Sequence, residues 1–211
     1  MTIKVLLCDD HALIRRGIRD TLEDAPDIEV AGEAGDYGEL RALLREQPGC
    51  DVLTLDISLP GRSGLDVLHA LKDEGSPLRV LVISMHPEEQ YAIRALRAGA
   101  FGYINKAGDP QSIVEAVRTV AQGRKYVTPA MAQMLVESLT ATAAENPHEK
   151  LSDREMQTLT MIASGKRLSD IAEELKLSPK TVSVYRARVL EKLQLTNNAE
   201  MTVYAIRNGL V

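Results

Sequence analysis

The chain has 211 residues, of which 45% are hydrophobic and 26% charged, and a formal net charge of -5. That length fits one or two domains, and the composition excludes a disordered chain, a collagen-like repeat and a disulfide-stapled miniprotein. No apolar run approaches the ~18 residues of a membrane-spanning helix and Lys4 sits where a secretion signal would be apolar, so a cytoplasmic protein without membrane contact is expected.

The charge is unevenly spread. Residues 1–147 hold 15 basic and 22 acidic side chains, a balance of -7, whereas residues 148–211 hold 10 and 8, a balance of +2. An acidic body with a mildly basic tail suggests different partners for the two parts. Cys8 and Cys50 both lie beside apolar, strand-like stretches, without the spacing of a disulfide or zinc framework, and are expected as buried thiols.

In chain order, short Val/Ile/Leu-rich runs alternate with segments of helical period. Ile3–Cys8 precedes Leu13–Leu22, Ile28–Ala31 precedes Tyr37–Leu44, and Val52–Leu55 precedes Leu65–Leu71. Val80–Ser84 then leads to Glu88–Ala98, and Phe101–Ile104 to Pro110–Ala121. Strands apolar on both faces need covering on both sides, and parallel neighbours need helical crossovers, so the first domain reads as an α/β, doubly wound, five-stranded parallel sheet over residues 1–123.

Thr128-Pro129 opens a helix-like run to Leu139. Thr140–Lys150 is polar, Ala-rich and broken by Pro147, and reads as semi-ordered; residues 124–147 are therefore expected as a partly helical linker. From residue 148 the pattern is all-α, in four short helices. Ser152 and Glu155 form a capping box, Gly165 closes the first helix, and Leu168–Leu175 makes the second. Ser178-Pro179 opens the third, running to Leu193, and Asn198–Asn208 makes the fourth; Leu168–Leu193 is a helix-turn-helix candidate.

Ligands of open α/β sheets bind beyond the carboxyl ends of the strands. Those ends carry Asp9 and Asp10 after the first strand, Asp56 after the third, Ser84 after the fourth and Lys106 past the fifth. Three converging carboxylates become favourable around a hard cation, and Mg²⁺, which prefers oxygen and commonly shares its sphere with a phosphoryl group, is the natural occupant. Asp56 then reads as a nucleophile toward phosphorus, with Lys106 and Ser84 placed to take equatorial oxygens. No glycine-rich phosphate loop follows the first strand, which argues against nucleotide binding.

These residues carry a family resemblance. Asp9-Asp10-His11, the run Asp56 to Gly64, Ser84 and Gly102-Tyr103-Ile104-Asn105-Lys106 resemble the signature of bacterial response-regulator receiver domains over residues 2–122. The resemblance implies a sensor histidine kinase as phosphodonor. It also implies a metal held by Asp9, Asp10, Asp56 and the backbone carbonyl of Ser58, Asp9 acting mainly through water. Ser84 and Tyr103 become a switch pair, with Tyr103 swinging inward as Ser84 moves toward the phosphoryl group. Where many receivers have a proline in cis linkage after the lysine, this chain has Ala107, so the isomer of that bond is open.

In Pro179–Leu193, Val182, Tyr185, Val189 and Leu193 share one face; Lys180, Ser183, Val184 and Ala187 lie opposite, with Arg186, Arg188 and Lys192 on the flanks. An ordinary amphipathic helix with a solvated charged face is the competing reading, and weak basicity alone does not decide between them. Leu151 to Glu155, Ile162 to Gly165, Ile171 to Leu175 and Leu177 to Val182 resemble the LuxR-type DNA-binding domain of the NarL/FixJ family, and Tyr204 to Leu210 is most similar to its GacA/UvrY branch. The resemblance implies double-stranded DNA as partner. Lys180, Arg186, Arg188 and Lys192 suit phosphates, while Ser183, Val184 and Ala187, with Thr181 beside them, suit base edges. A two-component transcription regulator follows, dimeric when phosphorylated on Asp56, not an enzyme beyond its own phosphoryl transfer, and with RNA polymerase as a further candidate partner. The alternatives are an aspartate-nucleophile phosphohydrolase, which fits poorly because Ser58 stands where a second acid is needed, and a phosphorylation-independent DNA-binding protein.

Overall fold

The computed structural model describes residues 2–140 and 147–211, without the side chains of Gln90 and residues 138–140. They form two compact units, 1–140 and 141–211. Among the described residues no helix is long and apolar enough to cross a membrane.

The first unit alternates strand and helix throughout: β1 (Ile3–Cys8), α1 (Ala12–Glu23), β2 (Ile28–Ala34), α2 (Tyr37–Glu46), β3 (Val52–Leu55), α3 (Gly64–Asp73), β4 (Arg79–Ser84), α4 (Glu88–Ala98), β5 (Gly102–Asn105) and α5 (Pro110–Ala121). The strands pair in parallel in the order β2-β1-β3-β4-β5. Val5, Leu7, Val52, Leu81 and Ile83 pack with Ile18 and Leu22 of α1 and Ile113, Val114 and Val117 of α5. Their neighbours Leu6, Leu53, Leu55, Val80 and Val82 turn to the other face and are just as buried, which is why these runs read as continuously apolar. Asp36, Ser63 and Asp109 cap α2, α3 and α5 through their side chains.

A further helix, α6 (Pro129–Thr140), lies inside the stretch expected as a linker, and it packs on α4 as part of the first unit. The semi-ordered character expected of Thr140–Lys150 falls largely on residues 141–146, which lie outside the described residues. Cys8 is buried as expected, whereas Cys50 is only half-buried, because the loop before β3 leaves one side of it to solvent.

The second unit contains a 3₁₀ turn at Pro147–Lys150 followed by α7 (Asp153–Ala163), α8 (Leu168–Glu174), α9 (Pro179–Leu193) and α10 (Asn198–Arg207). Ser152 and Glu155 form the capping box in both directions, at 3.4 and 2.8 Å. Leu159, Ile171, Val182, Val189, Met201 and Ala205 fill the centre. α8 and α9 are the two arms of a helix-turn-helix.

Candidate functional site

Because β1, β3, β4 and β5 are adjacent and parallel, the residues that leave their carboxyl ends meet at one edge of the sheet. Backbone bonds hold them there: Asp56 N–H donates to Cys8 O at 2.9 Å, and Lys106 N–H to Ser84 O at 2.8 Å. Gly64 makes that edge possible, since a Cβ at this position would stand 2.0 Å from the Asp56 carbonyl oxygen.

The lysine joins two of the carboxylates. Lys106 Nζ lies 2.8 Å from Asp56 Oδ2 and 2.7 Å from Asp9 Oδ2, with the three side chains 2%, 2% and 5% exposed. Asp10 Oδ1 lies 2.8 Å from His11 Nδ1. One ligand atom each from Asp9, Asp10, His11 and Asp56 falls within 4.8 Å of the others. Burial pushes the Asp56 carboxyl above its ordinary range; Lys106 pulls against that shift and Asp9 adds to it. His11 is the member that sequence reasoning did not place in the cluster, although its position next to the Asp9-Asp10 pair at a strand end was the available signal.

Ser58 reaches Asp56 through its amide, which donates to Oδ1 at 3.2 Å, and its hydroxyl lies 3.1 Å from His86 Nε2. Ser84 is fully buried, and its Oγ accepts from His86 N–H at 3.3 Å. Tyr103 is also fully buried, and its hydroxyl donates to the His86 carbonyl at 2.7 Å; burial raises its pKa. The aromatic ring expected to swing inward thus already stands inside, held by a loop carbonyl. Asn105 Nδ2 donates to the same carbonyl at 3.3 Å, and the His86 ring stacks on buried Tyr91. The peptide bond after Lys106 is trans.

In the second unit α9 buries Val182, Val189 and Leu193 and leaves Tyr185 partly covered. Lys180, Ser183, Val184, Ala187 and Arg188 are exposed along one stripe, Val184 at 43%, and Thr181 stands at the helix start with its amide on Ser178 Oγ. Two of the basic residues are engaged inside the unit. Arg186 Nε donates to Asn198 Oδ1 at 2.6 Å, and Lys192 Nζ lies 2.6 Å from Glu155 Oε2 and donates to the Lys150 carbonyl at 3.3 Å.

Residues 5–118 match the response regulator receiver domain, and residues 149–205 match the luxR family of bacterial regulatory proteins. The chain belongs to the bacterial response regulators. It is 38% identical over 209 residues to the response regulator UvrY of Escherichia coli strain K12, covering 99% of this chain and 95% of that protein. It is 37% identical over 210 residues to the response regulator GacA of Pseudomonas aeruginosa, covering 99% and 98%. A solved structure of RcsB from Salmonella enterica serovar Typhimurium, bound to the promoter rprA in the presence of the phosphomimetic BeF3⁻, matches with a TM-score of 0.65 at 25% identity over 97% of this chain and 98% of that one. This response regulator therefore couples a phosphorylatable receiver to a LuxR-type DNA-binding domain in transcription regulation. Its relatives are transcription regulators rather than phosphohydrolases.

Proposed function

We propose that Asp56 accepts a phosphoryl group from a sensor histidine kinase and that the modified chain pairs with a second copy to bind double-stranded DNA in the cytoplasm. The observation that carries the reading is the buried Asp56 carboxylate at the sheet edge with Lys106 Nζ 2.8 Å away. The unmodified site balances Asp9 and Asp56 against one ammonium, so an incoming phosphoryl group needs further positive charge. Three carboxylates form an oxygen-rich donor set that suits Mg²⁺, with Asp9, Asp10 and Asp56 holding it together with the Ser58 backbone carbonyl. When bound, Mg²⁺ supplies neutralisation of the charge that phosphoryl transfer brings.

Lys106 holds one carboxylate oxygen of Asp56 in a fixed direction and offers its ammonium to a transferred phosphoryl oxygen. Ser84 supplies a hydroxyl from the adjacent strand end, and Tyr103 occupies the space behind it. On the DNA side, Lys180 and Arg188 bind phosphates while Thr181, Ser183, Val184 and Ala187 approach the bases. Arg186 and Lys192 flank that stripe and brace α9. In this reading residues 1–123 are the receiver, 124–147 the connecting segment and 148–211 the DNA-binding domain, with RNA polymerase a downstream partner. Acetyl phosphate with Mg²⁺ tests the first step: mass spectrometry is expected to find the adduct on Asp56 and none in Asp56→Asn, and undiminished labelling of that variant overturns the assignment.

A further inference from the structure

Beyond α5 the chain runs as a short strap, residues 124–128, along the outer edge of β5. Tyr126 N–H donates to Phe101 O at 2.8 Å, and Tyr126 forms an isolated parallel bridge with Gly102, so the connecting segment itself closes the edge of the sheet. Lys125 places its ammonium 4.4 Å from the centre of the Phe101 ring and donates to the Ala100 carbonyl. The approach is tight at Gly102. A Cβ there would lie 2.9 Å from Tyr126 Cβ and 3.0 Å from the Tyr126 carbonyl oxygen. The strap is thus built against the residue that precedes Tyr103.

The strap ends on a hydroxyl with two partners. Thr128 Oγ1 accepts from Met131 N–H at 3.2 Å, capping α6, and donates to Glu88 Oε2 at 2.8 Å in the first turn of α4. Met131 is fully buried. Glu88 stands two residues beyond His86, whose amide donates to Ser84 Oγ and whose carbonyl accepts from Tyr103 and Asn105. Its carboxylate is close enough to both Tyr103 and Tyr126 to oppose their ionisation, after burial, which is the larger cause. A continuous run of contacts therefore joins Ser84, the loop at residues 85–87, Glu88, Thr128 and the start of α6.

We propose that the Glu88–Thr128 hydrogen bond is a latch through which phosphorylation of Asp56 loosens the start of α6, the helix by which the chain leaves the receiver. The inference rests on the reading of Asp56 as phosphoacceptor and of Ser84 as drawn toward the phosphoryl group. Ser84 is fully buried with its Oγ on the His86 amide, so moving it toward Asp56 lengthens that bond. The loop follows, and Glu88 moves with it. A hydrogen bond of 2.8 Å loses its geometry within a fraction of an ångström of such a shift. Thr128 then turns its proton to water, and the cap it gives Met131 is no longer fixed from outside.

Amide hydrogen exchange on the full chain tests this, with BeF3⁻ and Mg²⁺ as the phosphoryl mimic and bound fluoride followed by ¹⁹F NMR. Loading Asp56 is expected to speed exchange at Met131 and Ala132 by about fivefold, the scale of a lost N-cap. Glu88→Ala is expected to exchange fast with or without the mimic, while Thr128→Ser, which keeps the hydroxyl, retains the response. Unchanged exchange of β1 and β3 amides shows that each variant is folded. If wild type binds fluoride and α6 does not respond, or if Glu88→Ala responds like wild type, the latch is refuted and the Asp56 reading stands. Absence of bound fluoride that also leaves Asp56→Asn indistinguishable from wild type removes the Asp56 reading, and the latch with it.

Discussion

Replacing Lys106 with methionine keeps most of the side chain's volume and removes its charge, leaving Asp9 and Asp56 facing each other inside the protein. At 2.7 and 2.8 Å each ion pair contributes a gross attraction of about 6 kcal/mol at an effective dielectric constant of about 20, before desolvation is set against it. The variant escapes most of that loss by keeping one carboxyl protonated. Holding a carboxyl of ordinary pKa near 3.9 neutral at pH 7 costs about 4 kcal/mol, and at pH 5 about 1.5 kcal/mol. The first figure agrees with the roughly 3–5 kcal/mol lost when one partner of a buried pair is removed. The sign follows from Asp56, whose pKa burial already raises and which loses the opposing pull of Lys106 in the variant. A group whose folded pKa is raised stabilises the fold most below its unfolded pKa and loses that contribution as pH rises. The deficit of Lys106→Met is therefore expected to be about 4 kcal/mol at pH 7 and to shrink by about 2.5 kcal/mol at pH 5, read from the amide exchange of Leu6 and Leu53 in the full chain. An equal deficit at both pH values would refute the argument that Lys106 offsets buried carboxylate charge.

Gly64→Ala is expected to cost about 3 kcal/mol or more in β3 exchange, because its Cβ meets the Asp56 backbone and not a flexible side chain; wild-type stability in that variant would contradict the packing described. Glu155 is 2% exposed, and although burial raises its pKa, Lys192 and the Ser152 amide lower it further, so it titrates below the ordinary range. A depressed pKa gives stability that is present above the unfolded value near 4.3 and lost as pH falls through the folded one; Lys192→Met is expected to weaken that dependence in the α7 and α9 amides, the Ser152 amide remaining on Glu155, and to cost about 1–2 kcal/mol at pH 7. Lys180→Ala is expected to weaken binding to all DNA and lower the salt slope by about one unit, whereas Val184→Ala changes base preference with the slope intact. Binding titrations over a salt series on a selected and a scrambled site separate the two, and equal loss on both DNAs for Val184→Ala would show that another face of α9 meets the bases.

Local rules explain why so much of the fold was readable. β1, β3, α4, α5 and α9 begin and end where the sequence places them, since each is a short apolar run at a strand's length or a helix opened by a recognisable first residue, such as Pro110 after Asp109 or Pro179 after Ser178. The acidic edge was readable for a topological reason: parallel strands put all carboxyl ends on one side, so Asp9, Asp10, Asp56, Ser84 and Lys106 had to meet. What the sequence withheld depends on contacts between distant residues. Lys192 looks like any solvated basic residue until the fold brings it to Glu155, 37 positions away. In the sequence His86 stands out only as the position two residues beyond Ser84, yet its amide, carbonyl and ring engage Ser84, Tyr103, Asn105, Ser58 and Tyr91. The docking of residues 124–131 on β5 and α4 follows from the bare backbone at Gly102, which the sequence shows only as part of a receiver-like motif, and from a single hydroxyl at Thr128, which it shows only as a helix start.

In the proposed function, charge added at Asp56 governs DNA binding by the second unit. Affinity of the full chain for a selected DNA site, measured with and without acetyl phosphate and Mg²⁺ for wild type and for Asp56→Asn, reads out that dependence. Wild type is expected to tighten by a factor within the roughly 5–150-fold range of allosteric couplings, and Asp56→Asn to bind at the unmodified level under both conditions. Equal tightening of both proteins, or no tightening of wild type whose Asp56 is shown to be phosphorylated, would mean that Asp56 does not govern DNA binding.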